Sequence, residues 1–128
     1  DTVIAVKVST DGQLLAAASM DGTVSIYDAQ MQQINLIEGP EECSWIDWHP
    51  SKAHFLAIGT AEGGLWLVEA AKNRCMAVMM GTGRPLRVGQ WTPDGRLLVS
   101  GDEGGRVTVW SAKQAAATLV YDHPQAVE

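Results

Sequence analysis

The chain has 128 residues, of which 46% are hydrophobic and 19% are charged, a length and composition typical of one folded domain rather than of a disordered segment. Fifteen Asp and Glu against nine Lys and Arg give a net charge of −6, which argues against DNA, RNA or acidic lipid as the main partner because those surfaces require neutralisation of phosphate. Charges interrupt every long apolar run, so no transmembrane span is predicted.

The first part of the chain predicts four short strands connected by hairpin turns. Asp11-Gly12 and Asp21-Gly22 lie between runs of aliphatic residues, and this is the strongest short-range signal of a β-hairpin. We call the four strands of such a unit a, b, c and d. In the first unit they are predicted at residues 3–9, 14–19, 23–27 and 32–37.

Two further units repeat this pattern. The glycine of the second turn recurs at Gly22, Gly63 and Gly105, a period of 41 to 42 residues, which indicates a repeat protein. Strands are predicted at 43–48, 55–60, 65–68 and 75–80 in the second unit, and at 86–91, 97–100, 106–110 and 118–121 in the third. No helix is expected, since the one candidate turn, at 112–117, is too short to be stable alone.

The b strands carry small or apolar residues on both faces, which predicts sheets covered on both sides. Four-stranded antiparallel sheets stacked around an axis are the blades of a β-propeller. We therefore predict an all-β chain, 1–128, that forms part of a propeller. Its three blades are expected at about residues 1–38, 39–81 and 82–122, followed by a tail at 123–128.

Three blades do not close a ring, because propellers have about four to eight. We expect an incomplete ring in which each terminal sheet leaves one apolar face bare, with Val6, Val8, Leu98 and Val99 on those faces. Such faces require cover, either from the remainder of a propeller or by self-association.

The order of strands and turns resembles the WD40 repeat, whose third strand ends in Trp-Asp. Tyr27-Asp28 and Trp110-Ser111 stand at that dipeptide in the first and third units. The chain is also similar to consecutive blades of the angio-associated migratory cell protein family, and this similarity rests on residues 45–50, 56–63, 93–96 and 103–110. The resemblance implies a cytoplasmic scaffold linked to cell migration and signalling, with a nuclear location also open.

The chain departs from the repeat at two places. The Gly-His dipeptide expected before strand a is absent from all three units, and the second unit ends in Val68-Glu69. The buried Asp–His–Ser–Trp network of the repeat is therefore expected to be incomplete in every unit.

The sequence shows no set of residues with the spacing of a catalytic or metal site. His49 and His54 flank one turn and His123 lies in the tail, so none pairs with a Ser or Cys in a triad. Cys43 and Cys75 form no C-x-x-C and start strands about 14 Å apart, so both are predicted to be free thiols rather than metal ligands or a disulfide. We predict no catalytic, cofactor-binding or metal site, and no enzyme activity.

The large side chains can be interpreted as core residues or as contacts for a partner. Trp48, Trp91 and Trp110 are expected to pack between blades, whereas Trp45, near the axis, is a candidate for contact with a partner, with packing as the alternative. The methionines of strand d are expected to fill gaps in the core or, alternatively, to form an outer patch: Met76, Met79 and Met80.

Charge is distributed unevenly between the two ends of such a propeller. The end with the d–a and b–c loops collects eight carboxylates against Arg84 and Arg106, a balance of −6. The end with the a–b and c–d loops balances to +1, and the remaining residues to −1. One-sided charge attracts basic partners, although a role in solubility alone is the alternative. The eight carboxylates are Asp1, Asp21, Glu38, Glu41, Glu42, Glu62, Asp102 and Glu103.

These observations predict a protein-interaction scaffold that binds a basic protein segment. The predicted contacts are Asp21, Glu41, Glu42, Glu62, Asp102 and Glu103, with Trp45 as an apolar anchor. By analogy with a related propeller type, the chain could instead escort a basic ribosomal protein. A receptor for acidic or phosphorylated peptides would use Arg84, Arg87 and Arg106, and a propeller enzyme would need a polar cluster in the central funnel that the sequence does not show.

Overall fold

The computed structural model describes residues 2–38, 42–52, 54–72, 74–80, 84–111 and 116–122. These residues form three four-stranded antiparallel sheets, each with its strands in chain order. The first sheet contains β1 (Val3–Val8), β2 (Leu15–Ser19), β3 (Thr23–Tyr27) and β4 (Gln33–Glu38). The second contains β5 (Cys43–Trp48), β6 (Phe55–Thr60), β7 (Gly64–Glu69) and β8 (Arg74–Met80). The third contains β9 (Leu86–Trp91), β10 (Leu97–Asp102), β11 (Arg106–Ser111) and β12 (Ala116–Asp122).

The all-β fold class is confirmed, and each predicted strand has its counterpart in these sheets. The turn between the second and third strands of each blade is built alike, since Gly22, Gly63 and Gly105 have φ of 92°, 87° and 85°. This left-handed conformation favours glycine. The repeating glycine of the sequence therefore reports the backbone geometry of the hairpin.

Two local features differ from prediction. Residues Ala70–Lys72 form a short 3₁₀ turn between β7 and β8, and Asn35 of the first blade donates from Nδ2 to the carbonyl oxygens of Ala70 (2.8 Å) and Ala71 (2.9 Å). The helical turn considered for 112–117 is wrong at Ala116 and Ala117, which belong to β12. Residues 112–115 lie outside the described part of the chain.

The core lies between the blades. Val24, Ile26 and Ile46 belong to a buried cluster between the first and second sheets. Leu98 and Trp110 belong to a second cluster, between the second and third sheets. Trp110 donates its indole N–H to Ser100 Oγ at 2.7 Å, so this Ser–Trp pair of the third blade is formed as the repeat requires. Burying these faces is what holds blade to blade.

The first strands of the three blades, which we call the inner strands, are linked by a repeated hydrogen bond from a tryptophan side chain. Trp48 Nε1 donates to the carbonyl oxygen of Lys7 at 2.9 Å, and Trp91 Nε1 donates to that of Asp47 at 3.2 Å. Each tryptophan is the last residue of its inner strand, and its bond goes to the second-to-last residue of the inner strand in the preceding blade. Trp48 and Trp91 thus pack between blades, as predicted, and also join β5 to β1 and β9 to β5.

The two terminal sheets each leave an apolar face uncovered. Val6 and Val8 of β1 are exposed, as is Val99 of β10, which agrees with the expected bare faces of an open ring. Leu98 is a correction, because it is fully buried. It pairs with Trp91 and therefore points to the second blade, whereas its neighbour Val99 points outward.

Candidate functional site

Two sets of loops lie at one end of the molecule. In each blade, the turn after the second strand donates a backbone N–H to the segment that precedes the first strand. The three bonds are Met20 to Thr2 (3.0 Å), Ala61 to Glu42 (2.8 Å) and Glu103 to Pro85 (3.1 Å). At the other end, neighbouring blades contact each other through the turns after their first strands, where His49 Nε2 lies 2.9 Å from the Gly95 carbonyl oxygen and His54 Nε2 lies 3.1 Å from Asp11 Oδ2. All three blades therefore point the same way.

Among the described residues, this first end carries five exposed carboxylates: Asp21, Glu38, Glu42, Glu62 and Glu103. Glu38 ends β4, and we call the four that lie in the loops, Asp21, Glu42, Glu62 and Glu103, the acidic rim. Asp21 Oδ1 accepts hydrogen bonds from the backbone N–H (2.9 Å) and the hydroxyl (2.7 Å) of Thr23, and these bonds lower the pKa of Asp21. Its charge is therefore retained well into mildly acidic solution. Glu41 lies outside the residues that the structure describes.

Among the described residues, the Lys and Arg side chains at this end all belong to the third blade. Arg87 Nη1 lies 3.0 Å from Glu103 Oε1, and the Arg84 side chain covers Gly104 closely enough that a Cβ there would overlap it. In the first two blades, the described loop residues at this end, 19–22, 42 and 60–63, include no Lys or Arg. Asp21, Glu42 and Glu62 therefore lie in loops whose described residues carry acidic but no basic side chains.

Asp102 is a correction to the predicted set of contacts, because it is only 2% exposed. Its Oδ1 accepts the backbone N–H groups of Gly104 (2.8 Å) and Arg106 (3.0 Å), which closes the hairpin turn. Thr60 stands at the same place in the second blade and accepts from Gly64 N at 2.9 Å. The sequence contained this signal, since Thr60 and Asp102 both lie three residues before the turn glycine.

Trp45 is the second correction, since it is 7% exposed and packs between the second and third blades. Its indole ring lies directly against Gly59 and Gly89, so that a Cβ at either position would overlap it. An anchor for a partner has to reach the surface. Trp45 is instead a core residue and adds no exposed apolar side chain to the rim.

His49 is a residue whose importance the sequence did not show. It is buried, its ring centroid lies 4.6 Å from that of Trp91, and Nδ1 accepts the backbone N–H groups of Ser51 (3.1 Å) and Lys52 (2.8 Å). Nε2 consequently carries the hydrogen and donates to the Gly95 carbonyl oxygen. One imidazole thus connects the second blade to the third.

Within the described ranges, no group of three or more His, Cys, Asp or Glu is placed to hold a metal ion. The same ranges contain no helix long and apolar enough to cross a membrane. Cys43 is buried and Cys75 is exposed, and neither is in a disulfide bond, as predicted.

Comparison with known proteins supports the propeller architecture. Residues 3–120 match the family model described as the IFT140 first beta-propeller. The chain is 28% identical over 116 residues to human (Homo sapiens) angio-associated migratory cell protein, covering 91% of this chain and 26% of that protein. It is 24% identical over 115 residues to meiotic recombination protein rec14 of Schizosaccharomyces pombe, covering 80% and 34% of the two chains. It is 25% identical over 115 residues to apoptotic protease-activating factor 1 of Rattus norvegicus, covering 90% and 9%.

These similarities confirm the resemblance to WD40-type blades drawn from the sequence. The chain spans about a quarter of the length of the angio-associated migratory cell proteins that it matches.

Proposed function

Because this chain belongs to the family of the IFT140 first β-propeller, we propose that it is part of a protein-interaction scaffold whose acidic rim binds a basic segment of a partner protein. The blades hold their loops rigidly, and the loops present carboxylates at fixed positions. The proposed role requires no chemistry of the chain itself.

One observation supports this role above the others. Asp21, Glu42 and Glu62 are exposed at the same end of the molecule, on two neighbouring blades whose loops there include no Lys or Arg in the described ranges. A surface that served only solubility would have charges of both signs interspersed. Carboxylates grouped in this way attract cations at a distance and favour a partner segment that carries several Lys or Arg residues.

Because Asp102 and Trp45 are buried, neither is a contact of the proposed surface. Without an apolar anchor, affinity depends on several exposed ion pairs, each of which contributes little by itself. A partner segment therefore has to engage carboxylates of both blades at once. Binding is expected to weaken steeply with salt, because exposed charges are screened over about 8 to 10 Å at physiological ionic strength.

The test uses the intact protein and a fluorescein-labelled peptide rich in Lys and Arg, with a matched peptide in which Asp and Glu replace them. Anisotropy is measured across a salt series for the wild type and for Glu42→Gln and Glu62→Gln. The control is Glu69→Gln, which removes the same charge at the opposite end, where Glu69 Oε1 lies 4.0 Å from Lys72 Nζ.

We expect the basic peptide to bind, to lose affinity with salt and with either rim substitution, and to be unaffected by the Glu69→Gln control. Equal binding of the two peptides, or equal effects of rim and control substitutions, would overturn the proposal.

A further inference from the structure

A groove of about 990 Å³ lies between the second and third blades, at the end opposite the acidic rim. We propose that it is a docking site for an extended peptide segment of a partner protein, one that carries a large apolar side chain next to carboxylates. The groove is separate from the surface proposed above and has the opposite preference for charge.

The walls of the groove are apolar and come from both blades. Phe55, Leu67 and Met76 belong to the second blade and Leu97 to the third. Met76 is 45% exposed, so the prediction that the strand-d methionines fill the core holds for the buried Met79 and is wrong for Met76. Concave surfaces lined by apolar side chains with a few polar groups are typical of binding sites, and Met is adaptable in such a role.

The charged side chains of the groove favour a carboxylate. Lys52 and Arg96 line it and lie in no close ion pair with a described residue. The pKa of Asp94 is lowered first by a hydrogen bond from Thr92 and also by the charge of Arg96. Asp94, the acidic residue of the lining, accepts hydrogen bonds through Oδ1 from Thr92 Oγ1 (2.7 Å) and Arg96 N (3.1 Å), so its carboxylate is held by its own turn. Lys52 Nζ also lies 5.6 Å from the centroid of the Phe55 ring, which places a cation beside the apolar wall.

The two sides of the groove are held together before anything binds. His49 accepts the N–H groups of Ser51 and Lys52 on one side and contacts the Gly95 carbonyl oxygen on the other. Its ring fills the space next to Gly95, where a Cβ would overlap it. A site that is already formed loses less conformational entropy on binding, so a short segment is enough to occupy it.

An extended segment fits these features better than a ligand that offers charge alone. Lys52 and Arg96 would attract any anion, but the apolar walls contribute only when an apolar side chain enters between them. The combination selects a segment in which a Leu or Phe is flanked by Asp or Glu.

The experiment uses the intact protein and a fluorescein-labelled peptide with a central Leu-Phe flanked by Glu residues, measured by anisotropy. Lys52→Glu and Arg96→Glu are each expected to weaken binding about three- to five-fold, and Met76→Ser to weaken it about three-fold or more. Lys72→Glu, a lysine outside the groove at the same end, and Val78→Ser, an exposed residue of the same strand that is not part of the lining, are expected to leave binding unchanged.

Three results would overturn the proposal: no binding of the peptide, no effect of the groove substitutions, or equal binding of a peptide in which Ser-Ser replaces Leu-Phe. A single-stranded oligonucleotide is also added as a competitor. If it displaces the peptide, and if its binding is weakened by Lys52→Glu but not by Met76→Ser, the groove is a simple anion-binding patch and the proposal is overturned. Glu42→Gln and Glu62→Gln serve to separate the two sites, since the groove proposal requires that they leave this binding unchanged.

Discussion

The position of Trp45 can be tested by adding a methyl group to the glycine beneath it. Gly89 lies against the six-membered ring of the indole, and a Cβ at Gly89 would overlap atoms of that ring. Gly89→Ala therefore forces the indole or the third blade to shift. Inserting a methyl group into a packed core typically costs about 1–3 kcal/mol, a substantial part of the roughly 5–15 kcal/mol that stabilises a domain.

The atoms nearest to such a Cβ all belong to the Trp45 indole, so the overlap should be relieved when that side chain is made smaller. Trp45→Phe removes part of the indole and is expected to destabilise the protein by itself, because it leaves a cavity. In the Trp45→Phe background, Gly89→Ala should cost little or even restore packing. The two substitutions should thus be non-additive by about 1–2 kcal/mol, in the direction of mutual rescue.

The assay is urea unfolding of the four proteins of this double-mutant cycle, followed by tryptophan-independent far-UV circular dichroism. Val99→Ala combined with Trp45→Phe is the control, because Val99 lies on the outer face of the third blade and should give additive effects. If Gly89→Ala and Trp45→Phe were additive within about 0.5 kcal/mol, the indole would not lie on Gly89 and Trp45 would return as a surface candidate.

Further predictions concern single bonds and turns. Trp91→Phe removes the indole donor to the Asp47 carbonyl oxygen and should lower the free energy of unfolding by about 0.5–1.5 kcal/mol, measured by urea unfolding. Asp102→Ala should cost about 1–3 kcal/mol because it removes the acceptor of two backbone N–H groups, whereas Asp102→Asn should cost less. Burial lowers the pKa of His49 below 6.5. The contribution of the neutral imidazole to stability is therefore complete above that pH and is lost as the pH falls through the lower pKa of the folded state. Thermal unfolding measured across pH should show that His49→Gln loses less stability in acid than the wild type. Met31 has φ of 64°, so Met31→Gly should stabilise the protein by about 0.5–1 kcal/mol in the same unfolding assay; lower stability would show that the side chain matters more than the backbone.

The strands could be predicted because their signals are local. Asp11-Gly12 and Asp21-Gly22 specify hairpins from neighbouring residues alone, and the repeat of Gly63 and Gly105 fixes the number of sheets. The period also placed the acidic loops correctly at one end, since antiparallel strands bring those loops together in every blade.

The faces of the strands could not be predicted in the same way. Leu98 and Val99 are similar residues in one strand, and only the position of the neighbouring blade decides which of them is buried. Trp45 is buried because two glycines remote in sequence, Gly59 and Gly89, leave room for its ring. Such complementarity depends on packing between sheets, which a single sequence pattern does not contain.

The tryptophan bonds between inner strands give the stack a polarity. Trp48 and Trp91 each donate backwards, to the blade that precedes them in the chain. At the corresponding end of β1 stands Val8, whose side chain has no hydrogen to donate. This bond can therefore form only between a blade and the blade that precedes it in the chain. A neighbour that packs on the exposed face of β1 has to be held by apolar contacts instead.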